Sequence, residues 1–395
     1  MRHMILTLLL LVPSAARAQG AGEDRIKALE ERLNKLEGAP AKTSLSAFNP
    51  AMGMSIDAAF RQTHDRGTFN LRGAELNVEA PVDPYLKAWA IINANGGGVG
   101  LEEAALETTA LPYNLSVRGG RLFASFGRLG HFHTHELPVI DRPNSLATFI
   151  GGETQADGFE ASYLLPTDAF VNVTIGMYNK IGGENARAAN DAPRALSHFT
   201  YLGRLATTVE LGEDHQVDLG LSSAWTPKRH VTENMATTTS GNIVGEVTKK
   251  NTWRTLNGVD MTYRWQPAAG GLYKGFLWGT EVLQNNERTY GRNVGDDNLP
   301  KDRAMSYAGY SFIQLKLGRH WRPTLMVDVT QNIDAARTNT NTLTLALAYD
   351  FTEFQKVRGA FSQVTNSLPG SWHNDIVGLQ WTAVFGRHVH GFRDR

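Results

Sequence analysis

Three things that the chain lacks exclude whole classes of protein. It has no cysteine, so neither a disulfide framework nor a thiolate zinc site is possible. It has no apolar run near the ~20 residues that a membrane-spanning helix needs. It also has no excess charge, since 39 Lys and Arg residues balance 39 Asp and Glu residues. That balance predicts no nucleic-acid partner, because such a partner requires a basic domain.

Residues 1–18 have the form of a secretory signal peptide. Arg2 precedes the apolar stretch Met4–Val12, and Ala16-Arg17-Ala18 supplies the small residues of a cleavage site. We therefore expect export from the cytoplasm and a mature chain with a slight acidic excess.

Residues 19–47 are predicted to form a short coiled-coil stalk and a linker. Ile26, Leu29, Leu33 and Leu36 follow heptad spacing, and the Pro in Gly38-Ala39-Pro40 ends the helix. Two heptads are too few for a stable coiled coil in isolation. Either the helix packs on its own domain, or it associates with copies of itself in a trimer. The second interpretation is the prediction, with the stalk in the periplasm.

From Ala51 onward the hydrophobic period becomes two. Leu343, Leu345 and Leu347 alternate with Thr344 and Ala346, and the same pattern runs through 171–177, 217–222 and 377–385. One apolar and one small or polar face is typical of a strand between lipid and water. A soluble β-sandwich would show the same alternation, so strand length and loop pattern must decide.

Strand lengths and connections favour a barrel. Most of the predicted strands have the ~9–11 residues of a tilted membrane strand, and short turns alternate with long loops. The fold class predicted for residues 48–395 is therefore an all-β, antiparallel, 16-stranded transmembrane β-barrel, preceded by the short coiled-coil helix. The long loops are expected outside, at 123–154, 180–197, 226–251 and 286–303. The predicted strands are 51–61, 69–79, 84–94, 99–109, 114–122, 155–164, 169–179, 198–210, 214–225, 252–265, 272–285, 304–318, 321–330, 339–351, 354–364 and 374–385.

Sixteen strands leave an aqueous lumen, and the period of two predicts which charged residues line it. Acidic candidates gather on the second and fourth strands, and basic ones are prominent on the fifth, eighth and fifteenth. Opposed charges would set up a transverse field across the lumen. Alternatively, the charges pair across adjacent strands and hold the wall. The lumen candidates are Glu75, Glu79, Glu103, Glu107, Arg118, Arg204, Asp260, Arg264, Lys356 and Arg358.

The third external loop, residues 123–154, is the longest and the least polar of the connections. An apolar loop in water would expose that surface, so we expect it to fold into the lumen and narrow the pore. A lid or a trimer contact is the alternative. The constriction candidates are Arg128, His131, His133, His135, Glu136, Asp141 and Arg142.

Within this loop His131, His133 and His135 alternate, and Glu136 follows. Imidazole and carboxylate groups suit zinc, so these four residues are candidate metal ligands. A pH-sensitive constriction and plain packing of the loop are the alternatives, since imidazoles change charge near neutral pH.

A signal peptide, a short coiled coil and sixteen strands together resemble the phosphate-selective porins of Gram-negative outer membranes. Phe126-Gly127-Arg128-Leu129, Asp141-Arg142-Pro143 and Gly151-Gly152-Glu153, placed around the histidines, resemble a coiled-coil-led family labelled zinc-regulated outer-membrane proteins. Phosphate-selective porins have ladders of Arg and Lys along the lumen. The mixed charges of this chain depart from that pattern, so phosphate selectivity is not expected.

The predicted function is passive diffusion of small hydrophilic solutes or ions through a homotrimeric porin in the outer membrane lipid. No enzymatic activity and no resident cofactor are expected, apart from the zinc considered above. A gated or zinc-responsive transporter is one alternative. An outer-membrane hydrolase is another, although the chain has no Gly-x-Ser-x-Gly elbow.

Overall fold

In the computed structural model, sixteen strands of the described chain pair in sequence order, and the first strand also pairs with the last, which closes the sheet into one barrel. Every neighbouring pair is antiparallel, so the predicted antiparallel barrel of sixteen strands is confirmed. The structure describes residues 50–64, 66–183, 194–237, 243–290, 301–333, 338–367 and 373–386. The predicted signal peptide, the stalk with its linker and residues 387–395 lie outside the described residues.

Each strand overlaps the predicted strand of the same order, and several strands extend further than predicted. Their bounds are β1 Ala51–Thr63, β2 Arg66–Asp83, β3 Leu86–Asn95, β4 Gly98–Thr108, β5 Leu115–Phe123, β6 Gln155–Leu164, β7 Phe170–Ile181, β8 Thr200–Glu210, β9 His215–Thr237, β10 Ile243–Trp265, β11 Lys274–Tyr290, β12 Lys301–Leu317, β13 Trp321–Gln331, β14 Asn339–Thr352, β15 Gln355–Asn366 and β16 His373–Gly386.

One predicted outer loop is largely strand and a second is strand in part. β9 and β10 continue their ladder through most of 226–251, and β11 and β12 through part of 286–303. The polar composition of these stretches predicted loops. A strand that extends beyond the hydrocarbon layer no longer needs an apolar face, so composition does not mark its end.

The two faces of the wall differ in polarity, as the alternation predicted. On β14 the outward Leu343, Leu345 and Leu347 are 42%, 52% and 47% exposed, whereas the inward Thr344 and Ala346 are buried. The same contrast recurs on the other strands, and the exposed apolar side chains form a belt around the outside. Such a surface is too large to face water and suits a lipid environment.

Helical structure in the described residues is limited to short segments of the connections. Helix α1 spans Asn144–Phe149, and 3₁₀ turns occupy Leu129–His131, Thr134–Glu136 and Leu196–His198. No helix in this part of the chain is long and apolar enough to cross a membrane.

Candidate functional site

The connection between β5 and β6, residues 124–154, lies against inward-facing residues of the barrel wall; we call it the third loop. Its apolar side chains are almost fully buried and join strand residues such as Leu283 and Phe312 in one core. Burial of this apolar surface, rather than a regular ladder, holds the loop in place. The buried apolar residues of the loop are Ala124, Phe126, Leu129, Phe132, Leu137, Val139, Ile140, Leu146, Phe149 and Ile150.

The first part of the third loop is bound to β9, β11 and β12 through its backbone. Gly127 N donates to Ser222 Oγ at 3.2 Å, and Arg128 N donates to Glu281 Oε2 at 3.2 Å. Gly127 has φ +64°, and a Cβ there would lie 1.9 Å from Glu281 Oε1. Glycine is therefore strongly favoured at this position, because the backbone angle would strain another residue and the carboxylate of Glu281 would have to move.

Helix α1 is anchored to β13, the strand next to β12. Ser145 donates to Asp328 Oδ2 from its backbone N at 3.0 Å and from its Oγ at 2.5 Å. Asp328 thus binds the first turn of α1, where the amide groups have no partner within the helix. At the other end of α1, Arg254 of β10 donates to the carbonyl oxygen of Phe149.

Two basic residues of β15, Lys356 and Arg358, form what we call the basic wall. Lys356 Nζ donates to His135 O at 2.9 Å, and Arg358 Nη1 donates to Val139 O at 2.9 Å. Arg358 also donates to Gln380 Oε1, and Gln380 in turn donates to Asp57. These two predicted lumen residues therefore hold the backbone of the third loop.

Three acidic residues, Glu75 of β2 with Glu102 and Glu103 of β4, surround the side chain of His133; we call them the acidic wall. His133 Nδ1 lies 3.3 Å from Glu102 Oε1 and 3.5 Å from Glu75 Oε2, and its Nε2 lies 3.3 Å from Glu103 Oε1. His135 Nδ1 lies 3.2 Å from Glu75 Oε1, with its ring stacked on that of His133 at 5.7 Å.

A β-bulge brings Glu102 into this site. The pairing of β3 with β4 passes from Ile91–Glu103 to Ile92–Leu101, so Glu102 is the extra residue. Glu102 and Glu103 are consecutive, yet both are buried. Strict alternation allows only one of two consecutive residues to face the lumen, so the sequence predicted Glu103 and missed Glu102. Bulges re-aim side chains in this way, often beside functional sites.

The two histidines of the site differ in protonation. Burial favours the neutral form of His133, but the carboxylates of Glu102 and Glu103 outweigh burial and raise its pKa well above the ordinary value. Burial and the neighbouring His133 lower the pKa of His135 to about 3. Without any bound ion, the pair is expected to carry one positive charge, on His133.

The structure does not bring the four predicted metal ligands together. Glu136 folds back within the loop, where its Oε2 accepts a hydrogen bond from His133 N at 3.1 Å. His131 lies against Phe132 and borders a cavity at β8–β10, away from the acidic wall. Only His133 and His135 of the predicted set reach the acidic wall.

The other constriction candidates brace the third loop. Arg142 donates to the carbonyl oxygens of Leu129 and Phe132, each at 2.6 Å, and pairs with Glu153 at 2.8 Å. Asp141 is half-exposed and lies 3.8 Å from Arg61 of β1.

Most of the remaining lumen candidates pair along the wall. Arg118 pairs with Glu160 on the neighbouring β6, and Glu107 lies 3.0 Å from Lys87 on β3. Arg204 binds Asp260 across β9 at 2.6 Å. These ion pairs agree with the alternative interpretation, in which the charges pair across nearby strands and hold the wall. Glu79 and Arg264 are half-buried, on β2 and β10.

The predicted opposition of acidic and basic strands is wrong for β5 and β15. β5 is next to β4, and because β1 pairs with β16, only two strands separate β15 from β2. The basic residues of β5 and β15 therefore flank the acidic wall instead of facing it across the lumen.

A cavity of about 230 Å³ lies between the third loop and strands β8–β10. Arg128 and His131 border it on the loop side, and Arg204, Asp260 and Arg264 border it on the wall side. The guanidinium of Arg128 is buried between Phe132 and Phe312, at 5.9 Å and 5.8 Å from their ring centroids. Its Nε and Nη2 have no hydrogen-bond partner among the described residues.

Sequence comparison identifies few relatives. No protein-family model matches the chain. An uncharacterized protein of Aquifex aeolicus (strain VF5) is 30% identical over 158 residues, which is 38% of this chain and 34% of that protein. The chain therefore spans about a third of the length of this relative.

Comparison of structures identifies the fold. OprB of Pseudomonas putida, in a high-pH structure, has a TM-score of 0.56 at 10% identity, over 88% of this chain and 97% of that one. OmpT of Vibrio cholerae, an outer membrane protein in a trimer form, has 0.54 at 11%, over 85% and 99%. An anion-selective porin from Comamonas acidovorans has 0.53 at 12%, over 85% and 99%. The chain therefore has the barrel fold of outer-membrane porins.

Proposed function

We propose that the protein is an outer-membrane channel through which small hydrophilic solutes or ions diffuse passively. The observation that carries the proposal is the closed sixteen-stranded barrel with an apolar outer face and a polar, charged inner face. Such a wall suits lipid outside and water inside, and a barrel of this size is wide enough for an aqueous lumen.

The third loop is the proposed constriction. Its contacts extend from β2 and β4 through β9–β13 to β15, so it crosses the lumen instead of lining one side. A solute would have to pass beside it, and the cavity at β8–β10 is the proposed path. Arg128, Arg204 and Asp260 would then meet the solute, together with His131 and Arg264.

We further propose a homotrimer in the outer membrane of a Gram-negative cell, with the predicted stalk within residues 19–47 in the periplasm. Support comes from the heptad spacing of that segment and from the trimer form of the similar OmpT. No enzymatic activity is proposed. A gated or zinc-responsive transporter and an outer-membrane hydrolase stay alternative predictions.

Conductance of the purified protein in a planar lipid bilayer tests the channel. We expect stepwise, ohmic openings, in groups of three if the protein is a trimer. Arg128→Ala should increase the size of each step, because it removes a side chain from the border of the cavity. Arg319→Ala, at the exposed turn between β12 and β13, is the matched control and should leave the steps unchanged. A folded protein that inserts without conducting would contradict the proposal.

A further inference from the structure

We propose that Glu75, Glu102 and His133 form a binding site for a divalent transition-metal ion such as Zn²⁺, between the third loop and the acidic wall. The proposal goes beyond conduction, since the site would bind its ion whether the barrel is open or closed. It also differs from the metal site that the sequence predicted, because two of its three ligands come from the wall.

The positions of the three ligand groups fit one ion. Their candidate ligand atoms all lie within 4.8 Å of one another. His133 Nδ1 lies 3.3 Å from Glu102 Oε1 and 3.5 Å from Glu75 Oε2. A tetrahedral zinc ion with bonds of about 2.1 Å holds its ligand atoms about 3.4 Å apart. The two separations from His133 Nδ1 therefore match this geometry, and the carboxylate oxygens of Glu75 and Glu102 lie within 4.8 Å of each other.

The surroundings also hold these ligands in the orientation that a metal needs. A histidine that binds a metal usually donates its other ring N–H to a carboxylate. His133 Nε2 lies 3.3 Å from Glu103 Oε1, and Glu103 Oε2 accepts a hydrogen bond from Trp89 Nε1 at 2.9 Å. On the other side of the site, His135 Nδ1 lies 3.2 Å from Glu75 Oε1.

Glu102 supplies an independent indication of a ligand. Its side chain is 8% exposed, and its Oε2 has no hydrogen-bond partner among the described residues. A buried carboxylate oxygen without a partner is costly, because burial removes its hydration. The bulge on β4 nevertheless turns this carboxylate toward His133, beside two others. A cation at the site would satisfy that oxygen.

Charge balance points to a divalent ion. Three carboxylates meet the imidazole of His133 at the acidic wall, and His135 lies beside Glu75. Arg118 pairs with Glu160, and Arg142 pairs with Glu153. An ion of charge +2 placed among the three carboxylates of the acidic wall would neutralise most of their negative charge.

The ligand set also indicates the kind of ion. One imidazole nitrogen with carboxylate oxygens suits Zn²⁺ and other first-row ions, while Ca²⁺ and Mg²⁺ prefer six or more oxygen ligands. Three protein ligands leave a fourth position for water or a solute group.

Metal binding to the full-length protein in detergent, after removal of bound ions with EDTA, tests the site. Equilibrium dialysis against Zn²⁺ with mass-spectrometric metal analysis should give one tightly bound ion per protomer. Co²⁺ should give the intense visible absorption of a four-coordinate ion. Glu103→Gln should weaken binding by about 10–100-fold, as a change at the group that orients the ligand does. Glu102→Gln should weaken it at least as much.

His131→Ala is the matched control, a loop histidine outside the site, and it should bind the ion as the wild type does. Unchanged affinity in Glu102→Gln, or loss of the bound ion in His131→Ala, would overturn the assignment.

Thermal unfolding of the metal-free proteins shows whether each variant is correctly folded. Without metal, Glu102→Gln should be at least as stable as the wild type, because it removes a buried charge. A destabilised Glu102→Gln, together with a wild type that shows neither the ion nor the Co²⁺ absorption, would mean that Glu102 has a structural role only.

Discussion

The acidic wall and the basic wall bind the same segment of the third loop in different ways. At the acidic wall, carboxylates contact the imidazole side chains of His133 and His135. At the basic wall, Lys356 and Arg358 donate to backbone carbonyl oxygens of His135 and Val139. The two walls are close neighbours, with only β1 and β16 between them.

Because of this difference, the contacts of the two walls depend on different features of the loop. The acidic wall depends on the identity of the loop side chains, because the carboxylates contact ring nitrogens of His133 and His135. The basic wall requires only a backbone path, because every residue has a carbonyl oxygen. Substitutions in the loop should therefore test the acidic wall, and substitutions on β15 should test the basic wall.

The largest expected effect on stability comes from breaking the basic wall with Arg358→Met. The change leaves Val139 O and Gln380 Oε1 buried without their donor, which should cost about 3 kcal/mol. Guanidinium-induced unfolding in detergent, followed by tryptophan fluorescence, measures the loss. An unchanged midpoint would show that the loop does not depend on this contact.

We expect Zn²⁺ to stabilise the protein through the acidic wall and not through the basic wall. If the proposed site binds, Zn²⁺ at 100 times its dissociation constant should stabilise the wild type by about 2.7 kcal/mol. Glu75→Gln should lose that gain, and Arg358→Met should keep it. Thermal unfolding with and without Zn²⁺ measures both. Equal zinc effects in the two variants would remove the distinction between the walls.

Lys356→Met should have a smaller effect than Arg358→Met, because the change removes the donor to one loop carbonyl, His135 O, whereas Arg358 also donates to the buried Gln380 Oε1. We expect a loss of about 1–2 kcal/mol in the same unfolding assay, with faster amide hydrogen exchange near residue 135. A loss as large as that of Arg358→Met would mean that Lys356 has a further role at the wall.

The smallest effect is expected for Asp141→Asn. Its ion pair with Arg61 is half-exposed and 3.8 Å long, so its loss should change stability by less than about 0.5 kcal/mol. The variant serves as a control for the walls, since it removes a charge from the same loop. A loss of stability above about 1 kcal/mol would contradict this and show that the ion pair stabilises the loop more than a half-exposed pair should.

Among the candidate site residues, the sequence identified the side chains that lie on regular strands. Glu75, Glu103, Lys356 and Arg358 each point inward, because alternation follows from the pleat of a regular strand. It did not identify Glu102, which the bulge on β4 turns inward. Asp328 and Glu281 also lie inward on regular strands, but their contacts with Ser145 and Arg128 join residues more than 150 positions apart, and no local pattern predicts such contacts.

The strands, their number and the apolar character of the third loop could be read from residue order, because each strand meets lipid on one face and water on the other. The path of the loop, the partners of its backbone and the ends of β9 and β10 could not. They depend on which distant strands the closed barrel brings together. Closure of β1 on β16 put the acidic and basic walls side by side, and the bulge at Glu102 completed the site around His133.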